Sequence, residues 1–175
     1  MDRFWLLLCL LSVLYFAQAE EQTSLFSKFV KFVLPDKCDL PRSANVIALS
    51  NGKKYFFSKP SNKNWSLAEE SCTKMGLHLA TLNSQEDLDV VHEKAQTIEF
   101  HASWWLSAKN RASGRQLDYR WKDGANLTLN SYLWAHNAGK SEDCIQIRTD
   151  EAANLYDQNC SYDRYFICEF PTECY

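Results

Sequence analysis

The sequence predicts an α+β domain. Two helical patterns, each opened by a capping signal, run between residues 66 and 95, and strand patterns recur between residues 144 and 169. A long aperiodic stretch separates them. Cysteine supplies the third observation: of seven, Cys9 lies in an apparent export signal, leaving an even set suited to disulfides in an oxidising compartment.

Residues 1–19 read as that signal. Arg3 gives the charged end, Phe4 to Phe16 the apolar run, and Ala17-Gln18-Ala19 a small-x-small cleavage site. The run is short for a bilayer span and Glu20-Glu21 follow at once, so a secreted, soluble chain is expected, with no membrane partner. Residues 20–50 form an N-terminal extension. Within it Leu25, Phe26, Phe29, Val30 and Val33 fall at helical spacing until Pro35, which suits either a partner-binding helix or a tail folded on its own domain.

The domain proper is placed at 51–170, with 171–175 as a tail. Lys54-Tyr55-Phe56-Phe57 reads as a strand. Ser66-x-x-Glu69 is a capping box that starts a helix carrying Cys72 inward, and Gly76 ends it. Leu79 to Leu82 is an extended link. Ser84-x-x-Asp87 caps a second helix with Leu88, Val91, His92 and Ala95 on one face, and Trp104-Trp105-Leu106 begins a buried strand. From Asn110 to Ser141 periodicity is lost, and Trp121 and Trp134 are expected to pin this long loop. Residues 144–148 and 163–169 read as core strands, with a third near 154–157.

Charge and chemistry exclude more than they assign. Nineteen basic against 22 acidic residues give a net charge of −3, which argues against a nucleic-acid partner. The four histidines are scattered, no nucleophile elbow or zincin motif occurs, and no enzyme activity is expected. Lys53, Lys54, Lys59 and Lys63 read as a solvated basic face, with an anionic surface polymer as the functional alternative. Lys109, Arg111 and Arg115 flank the loop. Of three sequons, Asn126 sits in a surface loop and Asn64 before the first helix; Asn159, beside Cys160, is the least suited to carry glycan.

Several motifs occur together in one order. Tyr55-Phe56-Phe57-Ser58 precedes Asn64-Trp65; Gly76-Leu77-His78-Leu79-Ala80, Trp105-Leu106-Ser107-Ala108, Trp121-Lys122-Asp123-Gly124 and Tyr165-Phe166-Ile167-Cys168 follow. This arrangement resembles the C-type lectin-like domain over roughly 51–170, and in layout it is similar to the short secreted lectins of insects, mosquitoes included. The resemblance implies the pairs Cys72–Cys168 and Cys144–Cys160. Cys38 and Cys174 are left, to pair with each other or to bridge chains.

The resemblance also implies a sugar site built on calcium. In the family's lectins its oxygens come from a Glu-Pro-Asn or Gln-Pro-Asp loop, a Glu two residues before a cysteine, and Asn-Asp in Trp-Asn-Asp-x-x-Cys. Here Glu142 and Asp157 match. Tyr156 replaces the Asn, Leu155 replaces the Trp, and the proline tripeptide is missing. Calcium takes about 6–8 oxygens, so Glu142 and Asp157 are expected to be a vacant remnant and no cofactor is expected. Ligand contacts are assigned to Trp134, His136, Asn137, Glu142, Tyr156 and Asp157. The predicted function is recognition of carbohydrate or microbial surface polymers in innate immunity. The alternative is a calcium-independent module that pairs with a second lectin-like chain.

Overall fold

The computed structural model describes residues 46–112, 116–128, 131–136, 138–139 and 143–171, all within a unit spanning Leu40–Tyr175. The signal, the amphipathic segment, Cys38, Cys174 and most of the tail lie outside the described residues.

In chain order the elements are β1 (Val46–Ala48), β2 (Lys54–Phe57), α1 (Trp65–Lys74), β3 (His78–Leu79), α2 (Gln85–Ile98), β4 (Ser103–Asn110), β5 (Tyr119–Arg120), β6 (Asn126–Leu127), β7 (Cys144–Arg148), β8 (Leu155–Gln158) and β9 (Tyr165–Glu169). The α+β class is as expected. The ladder β1-β2-β9-β4-β5-β6 forms one path, β3 pairs with β9, and β7 joins β4 to β8. Strand β9 is the hub: its C-terminal half is paired with β2 and β3, and Tyr165 and Phe166 run parallel to Trp104 and Trp105 of β4.

The first helix begins earlier than the Ser66 capping box predicts. Asn64 is the N-cap, and its side chain accepts from the Leu67 amide at 3.0 Å, which leaves Ser66 inside the first turn. Asn caps as well as Ser does. The earlier start also aligns Trp65, Ala68 and Cys72 on the buried face. The far end behaves as the glycine predicts. Gly76 has φ 74°, its amide reaches Thr73 O at 3.0 Å, and the Leu77 amide reaches Cys72 O at 2.9 Å, a Schellman closure. In α2, Ser84 caps the Asp87 amide, and Leu88, Val91, His92 and Ala95 are buried.

Adjacent tryptophans on β4 divide the interior. Alternation sends Trp104 into the large core with Leu88, Val91, Ile145, Ile147 and Leu155, and Trp105 into a smaller one with Trp65, Cys72 and Phe166. The disulfides are Cys72–Cys168 and Cys144–Cys160, with Cα separations of 5.6 and 5.2 Å, the pairing implied by the resemblance.

Two strands depart from the aperiodic reading of the long loop. Tyr119 pairs with Leu127 and Arg120 with Asn126, a hairpin too short to show a period-2 pattern. The pairing also reaches back to Val46, inside the segment read as an extension. Strand β9 starts at Tyr165, two residues after its expected beginning.

Candidate ligand-binding site

The long loop leaves the sheet at Asn110, which clasps its base. The Asn110 amide donates to Asp143 O at 2.7 Å, and its side chain donates to the Asp143 carboxylate at 3.1 Å. Its side-chain oxygen accepts from the amides of Ala112 and Asp118. Asp143 is therefore spent on the loop base. Sequence reasoning missed Asn110; the available signal was an asparagine at a strand end, a residue type that satisfies nearby backbone donors.

Beyond the clasp, the β5–β6 turn closes over the buried Trp121. The Trp121 amide bonds to Ala125 O and the Gly124 amide to Trp121 O, both at 3.0 Å, with Gly124 at φ 88°. Trp134 is the second anchor, as expected. Its indole N–H donates to Thr128 O at 2.9 Å, and its ring meets Tyr119 edge-on at 5.1 Å. Residues 133–135 attach to β8, with the Leu155 amide donating to Leu133 O and the Ala135 amide to Leu155 O.

Trp134 also lies over Gly139, where a Cβ would stand 3.1 Å from the indole. With φ 72° and a ring overhead, only glycine fits. That close approach places the Gly139 amide 2.8 Å from an Asp157 carboxylate oxygen, which accepts from it. Trp134, Gly139 and Asp157 thus come together at one place.

Tyr156 does not join them, contrary to its place in the expected ligand set. Asp157 stands opposite Ile145, on the core side, whereas Tyr156 stands opposite Gln146 on the other face. There the Arg148 guanidinium lies 5.6 Å from its ring centroid, and burial raises the phenol's pKa. His136 is exposed. Asn137 and Glu142 lie outside the described residues. Tyr132, on the same loop, is 71% exposed.

The lysines expected as a basic cluster are individually engaged. Lys53 bridges Asp87 at 2.9 Å and Glu169 at 3.6 Å, and Lys59 pairs with Glu99. Lys63 donates to Ser71, and Lys54 lies over Phe170. Lys109 covers Trp65. Asn126 is exposed on β6, whereas the Asn64 side-chain oxygen is committed to its helix cap.

The model of the lectin C-type domain matches residues 61–170, and the chain belongs to that family. It is 33% identical over 129 residues to human C-type lectin domain family 17, member A, covering 70% of this chain and 31% of that protein; it thus spans about a third of that relative's length. Among solved structures it is similar to TC14, a C-type lectin from the tunicate Polyandrocarpa misakiensis, with TM-score 0.58, 25% identity and coverage of 68% of this chain and 98% of that one. The C-type lectin domain of murine dendritic cell inhibitory receptor 2, in complex with N-glycan, shares the fold, with TM-score 0.57, 21% identity and coverage of 77% and 100%.

Proposed function

We propose that this chain is a secreted recognition protein of innate immunity that binds carbohydrate on glycans or microbial surfaces through its long loop, without the family's calcium shell. Family membership supports the carbohydrate class, as does the N-glycan held by one structural neighbour. The observation that carries the calcium-free reading is the hydrogen bond from the Gly139 amide to Asp157. It occupies an oxygen on the carboxylate that matches a family ligand.

Other features agree. Calcium takes about 6–8 oxygens, which must converge. The residue in the Asn position is Tyr156, which faces away beneath a guanidinium. Among the described residues no group of three or more His, Cys, Asp or Glu side chains is placed to hold an ion. The residues fit calcium poorly. Sugar contact then falls to exposed rings and polar groups, with Tyr132 suited to stack on a pyranose face and His136 to hydrogen-bond hydroxyls.

The pairing alternative has less behind it. Large exposed apolar side chains among the described residues are Leu67, Phe100, Tyr132 and Tyr162, one each on α1, the turn after α2, the long loop and the β8–β9 turn. No single element gathers them into a contiguous patch.

The test is a glycan array, and binding to whole bacteria, in EDTA with the secreted protein and with Tyr132→Ala. Because Tyr132 is so exposed, the variant should melt where the parent does and lose about tenfold in glycan affinity. Unchanged binding would remove the loop from the recognition surface.

A further inference from the structure

The loop uses one side of the β7–β8 ladder; the other side carries a groove of its own. It holds about 300 Å³ and is lined chiefly by Ser103, Gln146, Arg148, Asp150, Gln158 and Arg164, with His101 and Ala102 at one end. Register explains the gathering. Ser103 stands opposite Arg148, and Gln158 opposite Cys144; Gln146 and Arg148 share the Cys144 face of β7, while Ile145 and Ile147 enter the core. Tyr156 belongs to the same face.

The two arginines of the groove are not equally paired. Arg148 is offset by Asp150 at 3.3 Å and Glu151 at 3.5 Å. Arg164 has no carboxylate partner among the described residues; its Nε donates to Gln146 at 3.4 Å and one Nη to Asp163 O at 3.1 Å. Arg164 is thus the groove arginine without an ion pair among the described residues. The guanidinium fork suits a planar carboxylate.

Gln146 gives the second, independent observation. Only 3% of the residue is exposed, yet it lines the groove. Arginine donates and never accepts, so the Gln146 carbonyl oxygen must face Arg164 and its NH2 must point elsewhere. That NH2 has no protein partner among the described residues. It is not sealed from solvent, so an acceptor in the groove can reach it.

We infer that the outer face of the β7–β8 ladder is a second binding site, for a saccharide unit bearing one carboxylate. Arg164 takes the carboxylate and the Gln146 NH2 an adjacent oxygen. Gln158, Ser103 and Asp150 supply the mixed donors and acceptors that ring hydroxyls need. The Arg148–Tyr156 and Arg164–Tyr162 stacks, at 5.6 and 5.1 Å, hold both guanidiniums in place. The site is independent of the loop and of calcium.

The test is titration of the secreted protein in EDTA with trigalacturonate, its methyl ester and inorganic phosphate. The acid should bind, and the ester should bind at least about tenfold more weakly. Arg164→Gln should lose about tenfold and Gln158→Ala about threefold, with Leu67→Ala, exposed on α1 and in neither site, unaffected. Should Arg164→Gln not fold, Gln158→Ala carries the comparison. Equal affinity for acid and ester, phosphate competing as well as the uronate, or parental affinity in both groove variants would each overturn the assignment. So would no detectable binding of trigalacturonate at millimolar concentration. Glycan-array binding by Tyr132→Ala reads the loop and uronate binding by Arg164→Gln reads the groove, so failure of one site is distinguishable from failure of the other.

Discussion

The helix-bearing half, from Lys54 to Ile98, and the loop half, from Asn110 to Asp143, are ordered by different means. The first is held redundantly. Each helix has a side-chain cap, Cys72 ties α1 to β9, and a buried polar chain runs from Thr81 through Glu169 and Lys53 to Asp87 and Asn51. The described residues of the loop half are held by turns and ring anchors: the Asn110–Asp143 clasp, the contacts of Trp134 with Thr128, Tyr119 and Gly139, and the staple Cys144–Cys160. A loop anchored on a braced scaffold is where binding residues concentrate. Caps and a long-range disulfide build the one half, and ring anchors and turns the other.

Removing a disulfide should separate the two halves most clearly. Cys72–Cys168 closes a span of 96 residues and Cys144–Cys160 one of 16. In the chain-entropy model such bonds stabilise by about 4.7 and about 3 kcal/mol. Cys72→Ala with Cys168→Ala should therefore lower urea stability by the larger amount. Cys144→Ala with Cys160→Ala should cost less stability and weaken loop-dependent glycan binding more. The reverse ranking in both readouts would mean that the loop, not the helical half, organises the domain.

A smaller effect sharpens the account of the helix-bearing half. Burial raises the Glu169 carboxyl pKa, against the Thr81 amide at 2.9 Å and Lys53, which act to lower it. With the folded pKa above the unfolded value of about 4.3, the native state binds the extra proton between the two. The contribution of Glu169 is therefore fullest below the unfolded pKa and declines as pH rises through the folded one. Glu169→Gln keeps an acceptor for Thr81 and removes the titration. Melting curves from acid to neutral pH should show the parent losing ground to E169Q as pH rises. Parallel profiles would deny that this carboxyl is strained by burial.

Much of the helix-bearing half was legible because its signals are local. Gly76, Ser84 and the apolar face of α2 act within a turn or two of themselves. Asn64 was obscured by Ser66-x-x-Glu69, an equally valid pattern two residues on. Burial of Trp65, which needs tertiary contacts, decides between them. In the loop half, Trp121 and Trp134 were legible as anchors because large rings seek cover. The β5–β6 pairs were not, since two residues carry no period. The candidate site was half legible. Asp157 could be matched by its distance from Cys160, but its capture by Gly139 is a contact across 18 residues that spacing does not encode. Tyr156 and Asp157 are neighbours in sequence, and only the register with β7 shows that they serve opposite faces.

The measurement that bears most directly on the account is thermal melting of the secreted protein in millimolar calcium and in EDTA. A metal at 100 times its dissociation constant would add about 2.7 kcal/mol, a readable rise in midpoint. A loop that keeps Asp157 on the Gly139 amide predicts coincident curves. A clear calcium-dependent rise would contradict it, and would return Asp157 to the role of a metal ligand.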